Sequence, residues 1–66
     1  MNDADLRQIH HVVVRNKPSR KAPAGTLGSV VLDYETAPMV ASTLELERWV
    51  KTNHPGKAVT VTSRPA

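Results

Sequence analysis

The chain contains no cysteine and no phenylalanine, and only one tryptophan and one tyrosine among its 66 residues. Without cysteine there is no disulfide framework and no thiolate metal site, so the bridges that small secreted domains commonly use are excluded. This absence favours an intracellular, cytoplasmic location. With so few rings, the chain also lacks the aromatic pairs on which single-strand binding proteins stack bases.

Long apolar segments are also missing. No stretch approaches the roughly 20 apolar residues of a membrane-spanning helix, and the first part of the chain contains no apolar run of signal-peptide length. The sequence therefore predicts a soluble chain without membrane contact. Its length predicts a single domain over residues 1–66, of a size that buries only about 60% of the surface that its unfolded form exposes.

Acidic residues are absent from one segment that is rich in basic residues. Residues 15–28 contain Arg15, Lys17, Arg20 and Lys21 but no Asp or Glu. Prolines and glycines in the same segment predict a long, flexible, exposed loop. The chain carries a formal net charge of +3, and concentrating the excess in one loop favours binding to an anionic partner.

Four regular elements are predicted around this loop. Runs rich in β-branched residues predict strands at 9–14, 30–35 and 57–63. Ser42 and Glu45 have the spacing of a capping box, which predicts a helix from about Thr43, although a start at Pro38 stays open because proline suits a first turn. Asn53-His54-Pro55-Gly56 would end the helix. Residues 1–8 and 64–66 are predicted to be frayed ends.

The order of elements predicts a small α+β domain of the type β-β-α-β. The first strand would lie in the middle of a three-stranded antiparallel sheet, with the single helix packed on one face. Trp49 is expected to be the core anchor of that helix. On the second strand, alternation predicts that Val30, Leu32 and Tyr34 face inward.

The first strand is apolar on both sides. If Val12 and Val14 meet the helix, Ile9 and Val13 lie on the opposite, open face of the sheet. An uncovered apolar patch at this position would mark a contact surface, for a partner or for a second copy in a homodimer.

No constellation of side chains predicts chemistry. His10 and His11 are adjacent on a strand and project to opposite faces, so they cannot bind one metal ion. Asp33 and Glu35 would lie about 7 Å apart on a wet strand face rather than in a cleft. The serines lack a placed base. The sequence therefore predicts no catalytic, cofactor-binding or metal-binding residue.

These observations predict a small non-enzymatic interaction protein. It would bind a larger partner through the open face of the first strand and the basic loop, and a nucleic-acid-handling complex such as RNA polymerase or a nuclease effector is the expected partner. Its size and order of elements resemble those of the stand-alone modulators that bacteria and their phages direct against larger machines. The alternative is direct, nonspecific binding of DNA or RNA through the loop, and an enzyme ranks third. The residues predicted to bind the partner are Ile9, His11, Val13, Arg15, Lys17, Arg20 and Lys21.

Overall fold

The computed structural model describes residues 6–66. Within them the order is β1 (Gln8–Arg15), β2 (Val30–Glu35), α1 (Thr43–Asn53) and β3 (Ala58–Pro65). The strands of this part of the chain form one antiparallel sheet in the order β2-β1-β3. The predicted α+β class, the β-β-α-β order and the central position of β1 are therefore confirmed.

Two strands are longer than predicted. β1 begins at Gln8 and ends at Arg15, so Gln8 does not belong to a frayed end and Arg15 does not belong to the loop. β3 continues to Pro65, and the prediction that residues 64–66 form a frayed tail is wrong for Arg64 and Pro65, which lie opposite Ile9 and Gln8 in the register. The predicted frayed residues 1–5 lie outside the described part of the chain.

α1 begins where the capping signal predicted. Ser42 is the N-cap, and its hydroxyl accepts a hydrogen bond from the backbone N–H of Glu45 at 3.1 Å. The alternative start at Pro38 is wrong, because Met39 exchanges two backbone hydrogen bonds with Gln8 and prolongs the sheet edge instead. At the other end the N–H of His54 donates to the carbonyls of Val50 and Lys51, so His54 is the C-cap.

The core lies between α1 and the two strands below it. Its buried members are Val12, Val14, Leu46 and Val50, with Val59 and Val61 packed against them at the periphery. The prediction that Trp49 anchors this core is wrong, because its side chain is 61% exposed. The contacts of α1 are made by Leu46 and Val50, one helical turn apart.

β2 receives little cover from the helix. Its register sets Leu32 opposite Val14 and Tyr34 opposite Val12, so both side chains do lie on the helix side, as predicted. Each is nevertheless 37% exposed, because α1 packs over β1 and β3. The prediction that Val30 faces inward is wrong. The register shifts between Val14 and Arg15, a β-bulge that the sequence did not indicate, and Val30 therefore lies opposite Arg15 of the open face, where it is 48% exposed.

One buried side chain is polar. His10 is fully buried beside Val12, with Nε2 3.0 Å from the carbonyl oxygen of Ala41 and Nδ1 2.6 Å from the hydroxyl of Ser63. Since a carbonyl can only accept, Nε2 donates, and Nδ1 of the neutral ring accepts from Ser63. The Ser63 oxygen in turn lies 2.5 Å from the hydroxyl of Thr43. This chain of hydrogen bonds ties the start of α1 to β1 and β3.

Candidate binding surfaces

The basic loop, residues 16–29 in the structure, has a fixed base. Asn16 donates to Ser29 from its backbone N–H and from its side-chain amide, both at 2.9 Å. Gly28 passes so close that a Cβ atom there would lie 1.5 Å from the carbonyl oxygen of Asn16, so no larger residue fits. Arg15 adds a hydrogen bond from Nη1 to the Gly28 carbonyl at 3.1 Å.

Within the basic loop the chain makes two turns. The N–H of Ala22 donates to the Ser19 carbonyl at 3.0 Å, and the N–H of Thr26 donates to the Pro23 carbonyl at 3.1 Å. Gly25 has a φ of +85° in the second turn, a conformation that favours glycine. Gly25 therefore serves the second turn, whereas Gly28 serves the close packing at the loop base.

The loop extends the molecule well beyond its sheet. Residues 6–66 span 51 Å in the longest direction and 19 and 16 Å in the others, whereas an eight-residue strand covers only about 26 Å. The connections at the ends of the sheet supply the remaining length, and the basic loop is the longest of them. Its cations therefore lie away from the core.

The cations of the basic loop are exposed and unpaired among the described residues. Lys17, Arg20 and Lys21 are all solvent-exposed, and the ion pairs of residues 6–66 involve other cations, namely those of His11, Lys51 and Arg64. Lys57 adds a fourth amino or guanidinium group at the loop base, where Nζ lies 2.6 Å from Oδ1 of Asn16. This end of the molecule is strongly positive.

The open face of the sheet is more polar than the sequence indicated. Ile9 and Val13 do lie there, but both are half-buried, and charged residues face them across the sheet, Arg64 opposite Ile9 and Asp33 opposite Val13. Nε2 of His11 lies 2.5 Å from Asp33, and the guanidinium of Arg64 donates to both oxygens of Glu35, at 3.3 and 2.9 Å. These pairs divide the predicted apolar patch.

The Arg64 guanidinium shifts the titration of its partner on this face. Its hydrogen bonds, and then its charge, hold the pKa of Glu35 below the ordinary value of 4.5. The same contacts raise the pKa of Arg64. Both side chains are 53% exposed, so solvent screens the pair. Asp33 and Glu35 thus act as ion-pair partners on the open face.

The structure brings part of the predicted site together. Ile9, His11, Val13 and Arg15 share the open face, while Lys17, Arg20 and Lys21 lie in the basic loop. The two parts meet at a shallow depression of about 300 Å³, which is lined by Val13, Arg15, Leu27, Ala58 and Thr60. Leu27 is 72% exposed, so an apolar side chain of the loop stands beside the face.

A second surface, on the helix side, was not predicted. A groove of about 320 Å³ is lined by Met39, Ala41, Glu45, Leu46 and Trp49. Trp49 lies at its rim with more than half of the indole exposed. In the sequence, only Trp49 indicated this groove, and a tryptophan at that position is equally typical of a core residue.

One polar cluster is enclosed in the fold. Ser63 and His10 form a hydroxyl–imidazole pair, but His10 is fully buried and its other nitrogen is held by a backbone carbonyl. A base so enclosed cannot reach a substrate. Across residues 6–66, no group of three or more His, Asp or Glu side chains is arranged to hold a metal ion.

No family model, curated protein or solved structure matches this chain. The fold and its surfaces therefore carry the functional argument by themselves. In the part of the chain that the structure describes, no helix has the length and apolar character needed to cross a membrane.

Proposed function

We propose that this is a non-enzymatic interaction protein that binds an acidic surface of a larger protein complex through its basic loop. The observation that carries this proposal is the set formed by Lys17, Arg20 and Lys21, which are exposed and form no ion pair with any of residues 6–66. Their mutual repulsion is unfavourable in the free protein, and an anionic partner relieves it.

The base of the loop supports this role. The bonds between Asn16 and Ser29 and the close packing of Gly28 fix where the loop leaves the sheet. A loop anchored in this way loses less conformational entropy on binding than a free tail. The depression between Val13 and Leu27 adds an apolar contact next to the charged one, so the open face and the loop form one continuous surface.

The partner we propose is a complex that handles nucleic acid, such as RNA polymerase or a nuclease effector. Such complexes present acidic protein surfaces as well as phosphates. We place the protein in the cytoplasm, where a cysteine-free chain is unremarkable and such machines operate. This function is compatible with a homodimer of the chain that binds the partner complex.

Direct binding of DNA or RNA is the alternative, and the same cations favour it. The two functions differ in salt dependence. With a few phosphate contacts, the logarithm of the binding constant should fall against the logarithm of salt concentration with a slope of about −2 to −4. A protein partner gives a shallower dependence.

The test compares the wild type with the triple variant Lys17→Ser, Arg20→Ser, Lys21→Ser. Labelled duplex DNA, single-stranded DNA and RNA are titrated at two salt concentrations, and tagged protein is used to purify partners from the native host for mass spectrometry. We expect no nucleic-acid binding tighter than about 10⁻⁴ M, and a protein partner that the triple variant fails to retain. Tighter, steeply salt-dependent binding of nucleic acid would establish the alternative.

The matched control is Arg7→Ser, Arg48→Ser, Lys51→Ser. This control removes three positive charges at exposed positions outside the loop, so it lowers the net charge by the same amount as the triple variant. The control should retain the partner. If both variants lose it equally, general charge rather than the loop causes binding; if both retain it, the loop is a solvated connector and the proposal fails.

A further inference from the structure

β2 forms one free edge of the sheet, and all six of its residues are exposed. An edge strand presents a row of unpaired backbone N–H and C=O groups to which another strand can bind. The edge continues to Met39, which pairs with Gln8. This surface is independent of the proposed function of the basic loop.

The register defines which backbone groups of β2 point outward. The N–H of Thr36 donates to the His10 carbonyl at 2.9 Å, so this pair is hydrogen-bonded. In an antiparallel ladder, bonded and non-bonded pairs alternate. Tyr34 and Leu32, opposite Val12 and Val14, therefore bond inward. Asp33 and Glu35 direct their N–H and C=O groups to the free edge, as does the carbonyl of Val31, the residue at the bulge.

We infer that two copies of this chain pair antiparallel through β2, about a two-fold axis beside Leu32. In this register Leu32 faces Leu32 of the second copy, and Val31 faces Asp33 of the second copy. Facing side chains share one side of the sheet, so the two leucines meet on the helix side. A shift by two residues in one direction would set Asp33 against its own copy, and like charges in that position are destabilising. A shift by two in the other direction would centre the pair on Val31, where the bulge interrupts the regular strand.

Charge complementarity favours a second copy as the occupant. β2 begins at the end of the basic loop, where Nη1 of Arg15 donates to the Gly28 carbonyl, and it ends at Glu35. One end of the edge is therefore positive, and the other carries Asp33 and Glu35, each of which also pairs with one cation of its own chain on the open face. Antiparallel pairing sets Glu35 of one copy opposite Ser29 of the other, at the end of the basic loop. This happens twice, once on each side of the axis.

The other edge of the sheet is less suited to self-pairing. The apolar side chains of β3, Val59 and Val61, already pack against the core. The charges at its ends are those of Lys57 and Arg64, so antiparallel pairing of β3 with its copy would bring cations together. On β2, by contrast, Leu32 and Tyr34 stay 37% exposed until a second chain covers them.

The absence of cysteine makes a direct test possible. Leu32→Cys places one thiol at the proposed axis, where facing Cα atoms of a non-bonded pair lie about 4.5 Å apart, within the range of a disulfide. The control is Thr60→Cys, an exposed position on β3. Under mild oxidation we expect the Leu32 variant to form covalent dimers at least about tenfold faster, because pairing raises the effective thiol concentration. Equal rates would overturn the inference.

Sedimentation velocity over a concentration series gives the second readout. The wild type should pass from monomer to dimer, and Leu32→Lys should raise the dissociation constant by about tenfold or more, because it sets two like charges opposite each other. Thr60→Lys should leave association unchanged. A wild type that stays monomeric, or a dimer broken by Thr60→Lys and not by Leu32→Lys, contradicts the inference. If circular dichroism shows that Leu32→Lys does not fold, the inference is judged by the oxidation rates of Leu32→Cys and Thr60→Cys.

Discussion

The two faces of β1 differ more than their sequences do. On the helix side, His10, Val12 and Val14 are fully buried, whereas on the open face Ile9, His11 and Val13 are only half-buried. Both faces contain one histidine and β-branched residues. The difference comes from what lies across each face: a helix on one side, and side chains of β2 and β3 that form ion pairs on the other.

The comparison shows where this small domain obtains its stability. On the helix side, folding removes apolar area from water and satisfies one buried imidazole completely. On the open face, the contacts are exposed ion pairs, which typically contribute about 1 kcal/mol or less each. Substitutions on the helix side should therefore cost more than substitutions on the open face, and both should cost more than changes in the basic loop.

The largest effect is expected for Leu46→Ala. Leu46 is 7% exposed and packs in the core with Val12 and Val50, and such a truncation costs about 2–5 kcal/mol. In a domain of this size each kcal/mol lowers the melting temperature by about 4–8 °C. Thermal unfolding followed by circular dichroism should show a large fall or complete loss of the transition.

Trp49→Ala on the same helix is the control, and it should cost less than about 1 kcal/mol, because most of the indole is already in water. An equal loss for both variants would mean that Trp49 is a core residue after all.

The sequence predicted the elements well because their signals are local. Alternation located β2, and the Ser42 cap located the start of α1. The place of α1 across the sheet was not predictable, because it depends on how Leu46 and Val50 fit against β1 and β3. Trp49 neighbours both on the helix, so sequence periodicity could not separate it from the core.

The long-range contacts could not be predicted from the sequence either. His10 bonds to partners 31 and 53 positions away, and nothing near His10 indicates them. The candidate site was predicted where it depends on composition, as in the basic loop. It was not predicted where it depends on cross-strand pairing, as with His11 and Asp33 on the open face.

A smaller loss is expected for Ser63→Ala. This change removes the hydroxyl that donates to Nδ1 of His10 and lies beside Thr43, and an unsatisfied buried acceptor costs about 1–3 kcal/mol. Urea unfolding should show a lower midpoint with an unchanged slope. Thr62→Ala, on the opposite face of the same strand, should have little effect. If both variants behave alike, the buried hydrogen-bond chain does not stabilise the fold.

The open face should respond to pH through Glu35. Its pKa is lowered in the folded protein by Arg64, so the folded state binds this proton less readily than the unfolded state. The stability from this pair is therefore present above the ordinary value of 4.5 and is lost as the pH falls through the folded pKa. Unfolding measured along that range should be less pH-dependent in Glu35→Gln.

Arg64→Gln removes the cause of the shift and should reduce the pH dependence in the same way. Added salt should weaken the effect in the wild type, since the pair is exposed. If Glu35→Gln retains the full dependence of the wild type, other carboxylates are responsible.

The smallest effect on folding is expected in the basic loop. The triple variant Lys17→Ser, Arg20→Ser, Lys21→Ser removes three positive charges and so lowers the formal net charge from +3 to zero. These side chains are exposed and form no ion pair within residues 6–66, so the only term removed is their mutual repulsion. The melting temperature should stay the same or rise slightly at low salt.

Salt screens the same repulsion over about 10 Å at 0.1 M, so added salt should raise the melting temperature of the wild type and not that of the variant. Differential scanning calorimetry at two salt concentrations measures both. A clear fall in the melting temperature of the variant would show that the loop cations contribute to the fold, and would remove the contrast between a binding loop and a stabilising core.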